Sequence, residues 1–224
     1  MNSELINFGI LAFMFLVLFA IAEFGYHFLK VKPEWTRKFV HLGTGLLALL
    51  FPVMLKNHWH VLLLCASFFI LLNLSLKFNF LKSINDIPRK SIGSLAFPIS
   101  VYGCYLGFCF FEGQYFYFYL PILILAFSDP IAALVGKLAP GNKIRFGEKG
   151  KTLIGSLAFF LSAGIISFAL IIALRNYEET LNIVVYSIVI ALVATIAEAF
   201  SSKGWDNITI PASVLATLSV LKYL

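Results

Sequence analysis

The sequence predicts an all-α, polytopic membrane bundle of about eight transmembrane helices, and three observations carry that prediction. Hydrophobic residues make up 60% of the 224-residue chain and charged residues only 12%, with a mean hydropathy of +0.92. Soluble domains average roughly 45–50% apolar and about 25% charged. Apolar runs close to the ~20 residues that a spanning helix needs follow one another along the chain. The few charged residues collect at one set of the ends of those runs. A single integral membrane domain over 1–224 follows, because the runs leave almost no chain for a soluble unit.

The first run, 6–28, is too long for a signal peptide, and Glu23 and Tyr26-His27 stand where a cleavable one has small residues. Glu23 is expected to pair with a basic residue of another helix. The second run, 39–56, follows Arg37 and Lys38 and contains His41, Gly43 and Gly45. The third, 59–76, begins beside His58, Trp59 and His60, a set suited to interfacial anchoring. The fourth, 92–111, carries Gly103 and Gly107, a Gly-x-x-x-Gly packing signal. The fifth, 116–138, is interrupted by Ser128-Asp129-Pro130. The sixth, 153–174, follows a basic, glycine-bearing loop. The seventh, 182–200, holds Glu198 near its end, and the eighth, 208–222, follows Gly204-Trp205-Asp206-Asn207. Cys65, Cys104 and Cys109 all lie inside apolar runs, where thiols are inert packing groups.

Lys and Arg excess marks the cytoplasmic side of a membrane protein. With eight spans, all but Lys56, Arg175 and Lys222 of the 17 Lys and Arg residues fall on one side. Both termini are then expected outside the cytoplasm, in a cell or inner membrane, and seven spans would break the alternation. The net charge of +6 reads as loop bias toward anionic headgroups rather than nucleic-acid binding. The second, fourth, sixth and eighth helices all start at the cytoplasmic face. Helix N-termini carry partial positive charge and free N–H groups that attract phosphate. Two of those starts share a hexapeptide, Ile92-Gly93-Ser94-Leu95-Ala96-Phe97 and Ile154-Gly155-Ser156-Leu157-Ala158-Phe159.

Four patches on that side carry chemistry. Asp129 inside an apolar run is an expensive placement, and such a residue is a functional candidate by default; a buried structural Asp paired with a Lys is the alternative. Pro130 loosens the helix there, and Gly136 and Gly141 allow close approach. The loop to Thr152 brings Lys143, Lys149 and Lys151, which read as a phosphate cradle with the helix start at Gly155-Ser156 or as a basic loop obeying the charge rule. It is not a Walker A motif. Glu198, Asp206 and Asn207 offer oxygen ligands for Mg²⁺, although capping alone accounts for Asp206 or Asn207. Arg37 and His41 share a helix face at i, i+4. Arg grips phosphate bidentately, and His41 is either a proton shuttle or a hydrogen-bond donor. An enzyme opening on a membrane surface accounts for these groups better than an ion-coupled transporter does, because Glu23, Asp129 and Glu198 lie toward one face rather than across the bilayer.

In order along the chain, Arg37-Lys38-Phe39-Val40-His41, Arg89-Lys90-Ser91-Ile92-Gly93, Asp129-Pro130-Ile131-Ala132-Ala133, Lys149-Gly150-Lys151-Thr152 with Gly155-Ser156, and Glu198 through Asp206-Asn207 and Pro211 resemble the CTP-dependent lipid-alcohol kinases. That family includes dolichol kinase, phytol kinase and the CTP-dependent diacylglycerol kinase. The resemblance covers roughly 35–213. It implies transfer of the γ-phosphoryl group of CTP, with Mg²⁺, to a long-chain or isoprenoid lipid alcohol drawn from the bilayer. Catalytic roles then fall to Asp129, Glu198 and His41. Nucleotide and phosphate contacts fall to Arg37, Lys38, Arg89, Lys90, Gly136, Gly141, Lys143, Lys149, Lys151, Thr152, Gly155 and Ser156. The metal falls to Asp129, Asp206 and Asn207. Ile154 stands where many members have Glu, which leaves phytol-like alcohols open. The family is distantly like the phosphatidate cytidylyltransferases, so CDP-lipid synthesis is the alternative chemistry.

Overall fold

Long apolar segments with no water to serve their backbone must close their hydrogen bonds within themselves, so helix is the expected state. The computed structural model describes residues 2–87, 91–138, 151–174 and 180–221, and no strand occurs among them. The helices are α1 (Asn2–His27), α2 (Pro33–Ala48), α3 (Phe51–Met54), α4 (His58–Phe78), α5 (Lys82–Asn85), α6 (Gly93–Phe110), α7 (Phe116–Leu123), α8 (Asp129–Leu138), α9 (Leu153–Leu174), α10 (Thr180–Phe200) and α11 (Asp206–Leu221). A π-helical turn, Ile124–Ser128, joins α7 to α8 without a break.

Among the described residues, seven stretches are long and apolar enough to cross a membrane: Ser3–His27, Pro33–Met54, His58–Phe78, Gly93–Phe110, Phe116–Leu138, Leu153–Leu174 and Leu181–Phe200. The protein is an integral membrane protein. The eighth expected span, α11, has 16 residues, about 24 Å at 1.5 Å per residue, short of the ~30 Å hydrocarbon core. It packs against α10, α6 and α7, and its Ile210, Val214 and Leu218 are buried. The second span begins at Pro33 rather than at 39, because a proline at the first helical positions gives up only an N–H that has no partner there anyway.

Two main apolar cores share one wall. Residues of α7 to α11, including Phe159, Ile190 and Val214, form one core. Residues of α1, α2, α4 and α6, including Leu11, Ala48, Leu64 and Tyr105, form the other. Helix α7 serves both, with Tyr117 and Leu120 in the first and Phe118 and Ile122 in the second. A helix apolar all round is a buried one, and these four side chains are fully buried. A smaller cluster of Phe19, Ala22, Val40, Leu72 and Ile84 packs α5 beneath α1, α2 and α4.

Two expectations change in the structure. Glu23 takes no basic partner from another helix among the described residues: Oε1 accepts from the Ser83 N–H of α5 at 2.8 Å, and Oε2 lies 3.0 Å from His27 of its own helix. It caps a free N–H at the start of α5. Of the Gly103–Gly107 pair, only Gly107 makes a close approach, to Leu215 of α11; the space at Gly103 is open.

Candidate active site

One cavity of about 590 Å³ opens among the starts of α2, α6, α9 and α11, the end of α10 and helix α8. That lies within the roughly 300–1,000 Å³ of small-molecule sites. Every sequence-predicted site residue among the described residues lines it: Arg37, Lys38 and His41 from α2; Asp129 and Gly136 from α8; Lys151, Thr152, Gly155 and Ser156 at the start of α9; Glu198 from α10; Asp206 and Asn207 from α11. Arg89, Lys90, Gly141, Lys143 and Lys149 lie outside the described residues.

The two copies of the repeated hexapeptide open α6 and α9, and both line this cavity through Gly93-Ser94 and Gly155-Ser156. Their glycines do different local work. A Cβ at Gly155 would lie 2.9 Å from the Ala132 carbonyl oxygen, and one at Gly136 2.8 Å from Thr152 Oγ1, so these glycines bring α8 against α9. A Cβ at Gly93 would lie 2.8 Å from Asn207 Nδ2. Gly93 therefore seats α6 on the turn before α11. That turn is held by the Ile92 N–H donating to the Lys203 carbonyl at 2.9 Å, and it passes through Gly204 at φ +93°. The left-handed region suits glycine because it has no Cβ.

Thr152 is the N-cap of α9, its Oγ1 accepting from the Gly155 N–H at 3.0 Å. Glu198 is buried with both carboxylate oxygens engaged. Lys151 Nζ lies 2.7 Å from Oε1 and also meets the Glu198 backbone carbonyl, while Ser156 Oγ donates to Oε2 at 3.3 Å. The start of α9 is thereby fastened to the end of α10, with the Lys151 ammonium fixed at the cavity wall. Asp129 lies within electrostatic reach of Asp206 and Glu198, with Lys151 and Arg37 as the nearby cations. Lys38 Nζ sits 5.4 Å from the centre of the Trp35 ring, within cation–π range. His41 Nε2 lies 3.2 Å from the Leu125 carbonyl oxygen of the π turn.

Among the described residues, no three His, Cys, Asp or Glu side chains converge to hold a metal unaided. Mg²⁺ does not need such a cage, since it binds through one or two carboxylates plus waters and substrate phosphates. The donors present fit that pattern. Asp129 and Asp206 line the cavity. Asn207 Oδ1 is buried with no hydrogen-bond partner among the described residues, while its Nδ2 donates to the Gly204 carbonyl at 3.3 Å. A buried acceptor with no donor carries a desolvation cost that a cation would remove.

Sequence reasoning missed the ion pair of Lys137 and Glu34, which joins α8 to α2 at the cavity wall. Its members stand 103 residues apart, and no local pattern links them. It also missed Thr44 and Ser201, cavity-lining hydroxyls that read as ordinary helix residues.

No family model matches the chain, and no solved structure matches it. Among curated proteins, a phytol kinase from Synechocystis sp. is 27% identical over 186 residues, covering 82% of this chain and 78% of that protein. With the motif order described above, this similarity supports placing the chain in the family of polyprenol and lipid-alcohol kinases.

Proposed function

We propose that this protein transfers the γ-phosphoryl group of a nucleoside triphosphate, CTP by its family resemblance, to a single-chain isoprenoid alcohol such as phytol or a polyprenol. The observation that carries the reading is the cavity. It joins the buried Glu198, the half-buried Asp129 and Asp206, the fixed Lys151 ammonium and the N-termini of α6, α9 and α11 inside an apolar bundle. Phosphoryl transfer needs positioning and charge neutralisation more than covalent chemistry, and helix starts with basic side chains provide both. By the Lys and Arg excess around it, the cavity faces the cytoplasm.

Lys151, Arg37 and Lys38 hold the phosphate oxygens. Glu198 positions Lys151, since its own oxygens are engaged by Lys151 and Ser156. Asp129, Asp206 and the Asn207 Oδ1 atom would hold Mg²⁺, which would neutralise phosphate charge when bound. The alcohol oxygen attacks the γ-phosphorus as the bond to the β-bridging oxygen breaks, leaving the nucleoside diphosphate. The hydroxyl proton passes to a cavity carboxylate, and Asp129 stands at the head of α8 to accept it.

A narrow apolar crevice of about 40 Å³ adjoins the cavity and shares Phe19, Thr44, Leu72 and Phe97 with it. The Thr44 hydroxyl donates to carbonyls of its own helix, at 2.8 Å to Val40 and 3.0 Å to His41. The crevice is lined mainly by apolar side chains, which suits the hydrocarbon next to the reacting hydroxyl of a lipid alcohol. Dry apolar cavities take apolar ligands.

The test is turnover by the purified protein in lipid nanodiscs. It is supplied with γ-labelled CTP or ATP, Mg²⁺, and a panel of phytol, farnesol, geranylgeraniol, a polyprenol and diacylglycerol. Label entering an isoprenoid alcohol supports the reading, and its preferred nucleotide names the donor. Release of pyrophosphate with a CDP-lipid would overturn it in favour of cytidylyl transfer, and label moving only to diacylglycerol would overturn the single-chain assignment.

A further inference from the structure

We infer that His41 is a positioning residue: its Nε2–H takes the place of the backbone N–H that Pro130 lacks, and so holds the π turn that sets where Asp129 meets the cavity. Its effect on turnover rests on the phosphotransfer reading above; the hydrogen bond does not. In a π turn the carbonyl of residue i is served by the N–H of residue i+5. For Leu125, inside Ile124–Ser128, that residue is Pro130, which has no N–H to give. Leu125 is fully buried, so water is no substitute. The imidazole Nε2 lies 3.2 Å from this carbonyl oxygen. A carbonyl only accepts, so Nε2 carries the hydrogen.

Two neighbours hold the ring there. Gly45, one turn after His41 on the same face of α2, lets that face come in close: a Cβ on Gly45 would lie 2.5 Å from the Ala126 Cβ. Phe97 of α6 meets the imidazole edge to face, with centroids 5.4 Å apart. The π turn adds one residue to the helix relative to an unbroken α register. It displaces all that follows by one position, about 100° around the axis. Asp129 is the first residue after it. The bond from His41 therefore fixes the angle at which the carboxylate is presented.

The experiment compares His41→Gln, which keeps an N–H donor, His41→Leu, which has none, Pro130→Ala, which restores the missing backbone donor, and the double variant His41→Leu with Pro130→Ala. Turnover is followed as kcat against pH, and stability as the thermal midpoint in detergent. His41→Leu is expected to lower kcat roughly 10–100-fold, the range for groups that orient a reacting residue. His41→Gln is expected to retain most of the turnover with the same pH profile. Pro130→Ala is expected to return most of what His41→Leu loses, in both kcat and thermal midpoint. If His41→Gln is as damaged as His41→Leu, or its pH profile shifts, His41 is a proton carrier and the inference fails. If Pro130→Ala gives no rescue of the midpoint, the missing-donor account fails. Should the unaltered protein phosphorylate no alcohol, the functional reading falls, and the midpoint series still decides the hydrogen bond.

Discussion

The two ends of the bundle handle their polar groups in opposite ways. At the end away from the cavity, polar side chains close the backbone where α3 stops. Tyr105 OH donates to the Leu55 carbonyl at 2.5 Å, Asn7 Nδ2 donates to the Met54 carbonyl at 3.0 Å, and Asn57 Oδ1 caps α4 at Trp59 N at 2.9 Å. At the cavity end, carboxylates and cations line a space of about 590 Å³, and Asn207 Oδ1 stays buried with no partner among the described residues. The comparison teaches where to look in a bundle whose helices are uniformly apolar. Polar groups matched to carbonyls report structure, and polar groups lining a void report a ligand.

Substitutions break or sharpen this contrast, and the largest effect belongs to the cavity. Asp129→Asn is expected to cut phosphoryl transfer by on the order of 10²–10⁴-fold while the thermal midpoint in detergent is retained; undiminished transfer would remove Asp129 from the reaction. Gly204→Val comes next. Its backbone sits at φ +93°, and a Cβ there would lie 2.6 Å from Ser91 Oγ and 2.7 Å from Gly93 Cα. Strain of about 1–3 kcal/mol plus this clash should unseat α6, seen as a lower midpoint and loss of nucleotide protection against proteolysis. Lys151→Met leaves Glu198 buried without its cation, a loss of about 3–5 kcal/mol. Adding Glu198→Gln should return much of the stability and none of the transfer, which separates holding the fold from holding phosphate. The smallest effect belongs to the far end. Tyr105→Phe removes one buried hydrogen bond to a neutral carbonyl, about 1 kcal/mol with the added cost of the orphaned acceptor, and kcat should not change.

Much of the candidate site was legible because chemistry is rare in this chain. Asp129, Glu198 and Asp206 stand out against apolar runs, and the candidate site residues among the described residues all line one cavity. The lysine-rich loop was equally visible in sequence, but Lys143 and Lys149 lie outside the described residues. What stayed hidden has physical reasons. Ile124 to Ser128 is as apolar as its neighbours, and hydropathy does not distinguish a π turn from an α turn; the proline at 130 was the visible clue, read as a loosened helix. Helix α5 is four residues of ordinary composition, and it stands on the Glu23 carboxylate 60 residues earlier. The Glu34–Lys137 pair is likewise a product of packing.

The staple between α6 and the turn before α11 has a consequence for biosynthesis. Asp129, Lys151 and the hexapeptide at Ile92 all emerge long before Lys203, whose carbonyl receives the Ile92 N–H, and before Asp206 and Asn207. A nascent chain with its first seven apolar stretches already in the bilayer would thus hold a basic vestibule with no floor. Only when 203–207 fold back onto the start of α6 would the cavity acquire its last acidic wall, so the site would close later than the helices that carry most of its lining.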